Sequence, residues 1–138
     1  PNPTSSAHIR ALIDAHPGVF CFVAHCFRYS DDESGMDELA IEGIEMASYN
    51  LLVRPQPAGG PAAIARAALY RRWQQRRGWI PLYNSDAHSV RMVGLFYNLV
   101  DAPSGLPADE MALGELLRTA QMRPFEDGER IRAAVNGR

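Results

Sequence analysis

Val19-Phe20-Cys21-Phe22-Val23-Ala24-His25-Cys26-Phe27 is almost continuously apolar and carries one histidine near its end. The run is short for a helix and suits a β-strand covered on both faces. A polar, acidic loop follows at Tyr29–Gly35, then a short helical segment at Met36–Ile41. Gly43–Ser48 reads as a second buried strand, Trp79–Tyr83 as a third and Leu95–Val100 as a fourth. Pro81 suits a sheet edge or strand end better than a central position. Helical patterns lie between and around these runs. Ser5 and Ser6 can cap a first helix with Ile9, Leu12 and Ile13 inward, ended by Pro17-Gly18. After a loop rich in proline and glycine at 54–61, a second helix runs from Pro61 to Arg77, with Gly78 just past its end. Pro107 opens a third, with Leu113, Leu116, Leu117 and Ala120 on one face, and a last helix spans Glu126–Val135. Strands alternating with helices predict an α/β fold with parallel strands and flanking helices.

The length, 138 residues, fits one domain. Apolar residues make up 46% and charged residues 22%, a globular rather than a disordered composition. No apolar stretch approaches the roughly 18–20 residues of a membrane-spanning helix, and no signal-peptide pattern opens the chain. A cytoplasmic protein without a membrane partner is expected. The first residue is Pro1 rather than Met, which suggests processing or a longer parent chain. The net charge of −2 gives no general electrostatic pull towards nucleic acid or anionic lipid. All 14 basic residues are arginine, so a Schiff-base lysine and a phosphate-loop lysine are both excluded. Cys21 and Cys26 match no zinc-ribbon or disulfide framework. The arginines of Arg71–Arg77 spread around a helix instead of forming one stripe, which favours a solvated face over a nucleic-acid patch.

Three short segments could carry chemistry. Asn84-Ser85-Asp86-Ala87-His88 follows directly after a predicted strand. In an extended segment Asp86 and His88 would share a side, about 6–7 Å apart, as metal ligands can. Taken alone, the pair fits a turn or helix cap as well. His25 ends the first strand and needs a partner for its ring nitrogens, either a metal or a backbone carbonyl. Glu45 is an acid inside an otherwise apolar strand. It calls for a pair, hydrogen bonds, a metal, or a wet face of the strand.

Taken in order, Val23-Ala24-His25-Cys26-Phe27, Gly43-Ile44-Glu45, Asn84-Ser85-Asp86-Ala87-His88 and then Gly94 resemble the PHP (polymerase and histidinol phosphatase) superfamily. The likeness runs from about Ile9 to Arg123 and matches the later part of such a domain. It implies part of a distorted seven-stranded β/α barrel that binds metal at the C-terminal strand ends. It also implies a phosphoesterase or related hydrolase, acting on a small-molecule phosphate ester with divalent zinc, manganese or iron, two or three ions in a complete site. On this resemblance His25, Asp86 and His88 are metal ligands, Glu45 lies beside the site, and Arg28 and Arg91 could reach a substrate phosphate. The family's H-x-H motif does not occur in this chain, and Cys26 stands where proline is usual. A missing N-terminal segment, another chain or self-association is therefore expected to complete the site. A non-catalytic interaction module and a nucleic-acid-associated domain are the alternatives.

Overall fold

The computed structural model describes residues 6–53 and 63–136. Ser5, the expected loop at 54–61 and the start of the helix expected from Pro61 lie outside them. Helix α1 spans Ser6–Ala15 and ends before Pro17-Gly18 as expected. Strand β1 is only Phe22–Val23, shorter than the nine-residue apolar run suggested. Two causes shorten it. Among the described residues its sole strand neighbour is β2, Gly43–Ala47, and His25 adopts a left-handed φ of 55° that no strand can contain. The segment expected to be helical at Met36–Ile41 makes a single 3₁₀ turn, Met36–Glu38.

Strand β2 sits between β1 and β3, Ile80–Tyr83, and all three run parallel. Pro81 thus lies on an edge strand, where its missing N–H does no harm. Helix α2, Ala63–Arg77, packs on β2. Arg66, Tyr70 and Trp73 recur at helical spacing and are all buried. Phe27, Ile44, Leu51, Tyr70, Trp73 and Trp79 share one core. Within it Trp73 stacks on Trp79 at 6.3 Å, and Phe27 meets Tyr70 edge-on at 5.2 Å.

The rest departs from an all-parallel arrangement. Strand β4, Phe96–Val100, pairs antiparallel with β5, Met122–Glu126, which the sequence reading missed. Helix α3, Glu110–Thr119, precedes β5, and helix α4, Gly128–Asn136, follows it. The structure is therefore a mixed α/β fold, with a three-stranded parallel sheet, a separate two-stranded sheet and flanking helices. Among the described residues the strands do not close into a barrel.

Two side-chain devices fix the periphery. Asp109 caps α3 by accepting from the Ala112 N–H at 2.8 Å. Its replacement by alanine should lower stability by about 1 kcal/mol in urea denaturation, since that donor then loses its partner. Helix α3 approaches the rest of the fold through Gly114, where an added Cβ would stand 2.7 Å from the Gly18 carbonyl oxygen. Leu113, expected inward, is 45% exposed. The α2 arginines hold the acidic loop. Arg72 pairs with Glu33, and Arg76 pairs with Asp37 at 2.8 Å. Arg77 donates to the Leu39 carbonyl at 3.0 Å and lies over Trp79. The pairing with Arg72 holds the Glu33 carboxyl below its usual range. Among the described residues, no helix is long and apolar enough to cross a membrane.

Candidate functional site

The C-terminal ends of the three parallel strands converge on one polar ring. His25 lies just past β1, Glu45 lies within β2, and Asn84 and Asp86 lie just past β3. This is the end of a parallel sheet where chain segments diverge and leave room for a ligand. The Asp86 N–H donates to Asn84 Oδ1 at 3.0 Å, and Asn84 Nδ2 donates to Glu45 Oε1 at 2.7 Å. Glu45 Oε2 accepts from the His25 backbone N–H at 2.9 Å and from its Nδ1 at 2.5 Å. His25 Nε2 stands 3.1 Å from Asp86 Oδ2, which closes the ring. Asn50 Nδ2 also donates to that carboxylate. Glu45 has no solvent exposure, and hydrogen bonds on both oxygens meet the demand of a buried acid.

The backbone is bent to achieve this. Among the described residues, only His25 (φ 55°) and Asp86 (φ 45°) are non-glycine positions with positive φ. Each such residue is held against a conformational preference of about 1–2 kcal/mol, and such outliers cluster at functional sites. The turn at Asp86 also removes the extended geometry expected from Asp86 to His88. His88 Nδ1 instead donates to the Asp86 carbonyl at 2.8 Å and lies 3.9 Å from its carboxylate. Ser85 braces the turn by accepting from the Gly94 N–H at 2.8 Å and donating to the Phe96 carbonyl at 3.1 Å.

The ring tautomers follow from the acceptors. A carboxylate and a carbonyl oxygen only accept, so each histidine carries its proton on Nδ1. His88 Nε2 is then available as a ligand, and His25 Nε2 is one when no proton bridges it to Asp86 Oδ2. A histidine that ligates a metal is typically held in this way by a partner on its other nitrogen. His25 Nε2 faces Asp86 Oδ2 with lone pairs on both sides, so a cation, whether a proton or a metal ion, makes that contact attractive. Two ligands of one zinc ion stand about 3.3 Å apart, and 3.1 Å is close to that spacing. Two of the three expected ligands are therefore together. Among the described residues no group of three His, Cys, Asp or Glu side chains is arranged to hold an ion, because His88 is turned to the Asp86 carbonyl.

A cavity of about 320 Å³ opens over the ring, walled by Phe22, Ala24, Leu82, Tyr83 and Asn98. Arg28 and Arg91, expected to reach a substrate, do not line it. Arg28 is buried, with its guanidinium 5.7 Å from the Tyr29 ring centre. Arg91 is exposed on a 3₁₀ turn, Val90–Met92. Cys26 is no thiolate candidate, since burial pushes its thiol up to about 12. Asn84 and Asn50 were missed as site residues. Asn84 lay inside the motif itself, but nothing in the sequence pointed to Asn50.

No family model, curated protein or solved structure matches the chain.

Proposed function

We propose that this chain is a metal-dependent hydrolase of the phosphoesterase type, with His25, Asp86 and His88 as metal ligands. The observation that carries this reading is the His25–Asp86 contact at 3.1 Å, with His25 Nδ1 locked by the buried Glu45. When bound, a divalent ion supplies Lewis acidity and makes water a better nucleophile near neutral pH. The chain's own residues do the positioning. Glu45 fixes the His25 ring and its tautomer, and Asn84 fixes Glu45. Asn50 holds the Asp86 carboxylate. His88 is 61% exposed at its side chain, so a rotamer change on a fast timescale can bring its Nε2 towards the pair. A further segment or a second chain adds the donors of a complete multi-ion site. The cavity walls would take the organic part of the ester.

The test is chelation followed by zinc or manganese, desalting, and elemental analysis. At least one ion per chain should be retained, and the loaded protein should hydrolyse an aryl phosphate. His88→Ala should lower metal content and turnover together. A His88→Ala protein that kept both would overturn the ligand assignment. Metal retention without hydrolysis would make the chain a binding module instead.

A further inference from the structure

Arg66 presents a problem that the metal reading leaves untouched. Its side chain is fully buried in α2. Nη2 donates to the Leu51 carbonyl at 2.7 Å, but Nε and Nη1 have no hydrogen-bond partner. Among the described residues no carboxylate pairs with it. Its charged neighbour is another cation, Arg28, itself buried. Desolvation and that like charge both push the Arg66 pKa down. A buried cation without a counter-charge is among the most costly features a fold can hold. An enclosed water would satisfy the N–H groups but not the charge. A second buried atom, Ser48 Oγ, also lacks a partner, and Ser48 lies three residues before Leu51.

The surroundings indicate what is missing. Leu51 belongs to a π-helix, Tyr49–Val53, a form that is rare and frequent at functional sites. The same π-helix carries Asn50, which binds Asp86. Arg28 lies three residues after His25. Both guanidinium groups therefore belong to, or are tied to, the loops that build the candidate site.

We propose that Arg66 is the fixed cation of a binding site for a compact oxyanion of the phosphate type, enclosed beneath the loops at 25–28 and 48–51. An oxyanion supplies both the acceptors for Nε and Nη1 and the counter-charge for Arg66. Total burial restricts the occupant to a small ion or to a terminal phosphoryl group. The site stands whether or not a metal binds at His25.

The test uses the full, metal-free chain at constant ionic strength, with inorganic phosphate as the probe. Calorimetry should give saturable binding with a dissociation constant below about 10 mM. Thermal stability should rise with phosphate and not with equal chloride. The Arg66 Nε–H signal in a proton–nitrogen correlation spectrum should move along the same curve. Arg66→Met should abolish all three effects, and Arg66→Lys should weaken binding by about tenfold, since it keeps the charge and loses the fork. Phenyl phosphate in a parallel titration identifies the source. Equal binding assigns the phosphoryl group of an ester, and phosphate binding alone assigns the free ion. The proposal is overturned if wild-type protein shows no saturable binding, or if binding persists unchanged in Arg66→Met. If Arg66→Met does not fold, an Nε–H signal unmoved by phosphate in the wild-type protein overturns it equally.

Discussion

Glu45→Ala should lower fold stability more than any other single change at the site, and it should also weaken binding at the proposed metal site. Removing the carboxylate strands the His25 N–H, the His25 Nδ1–H and Asn84 Nδ2 around a vacated buried position. Each buried donor left without a partner costs about 1–3 kcal/mol. Relaxation recovers part of this, so we expect a net loss of about 3 kcal/mol in urea denaturation of the metal-free protein. Without Glu45, nothing holds the His25 ring with Nε2 towards Asp86. Losing such an outer partner typically weakens metal binding about 10- to 100-fold, measurable by zinc competition with a chelating dye. Glu45→Gln separates the two effects. It keeps the volume and one acceptor but places an NH₂ among donors, so metal affinity should fall more than packing does. If Glu45→Ala matched the wild type in both measurements, the polar ring would not organise the site.

Trp73→Ala should produce the largest loss of stability in the molecule. The indole is buried, stacks on Trp79 and donates from Nε1 to Glu33 at 2.6 Å, while the Arg76 guanidinium lies 4.9 Å from its ring centre. Truncating a buried tryptophan costs about 3–5 kcal/mol, much of the 5–15 kcal/mol that holds a typical domain together. The same change releases the acidic loop, because Glu33 then keeps only Arg72. A lowered urea midpoint by circular dichroism, with faster proteolysis within the 29–39 loop, is the expected pair of results. Trp73→Phe keeps the ring contact and should recover more than half of the loss. An intact loop in Trp73→Ala would mean that the arginines alone hold it.

The parallel sheet was legible because its strands are apolar runs of the right length at β2 and β3. The first run misled at its end. Composition carried the strand on to Phe27, whereas the chain turns at His25 to present its side chain to Glu45 and Asp86. Apolar patterning reports burial, and Phe27 is fully buried without being in a strand. Strand β5 was hidden because Pro124 and the charges of Arg123 and Glu126 are poor strand signals, yet an antiparallel edge tolerates both. Glu45 stood out as an acid among apolar residues, and that anomaly marked the centre of the ring. Asn50 gave no such signal, since its role depends on a π-helix that the Tyr-Asn-Leu-Leu-Val sequence does not announce. His88 was placed by assuming extended backbone, and the positive φ at Asp86 is invisible in the residue types.

Those two left-handed residues also say how the molecule would respond to selection. Glycine at position 25 or 86 would relieve the backbone by about 1–2 kcal/mol, but it would strip the buried Glu45 or Asn50 of a partner at a cost of about 1–3 kcal/mol. It would also delete one of the two donors that stand together. A library screened for thermal survival alone should therefore leave both positions unchanged, because the ring that bends the backbone also holds it there.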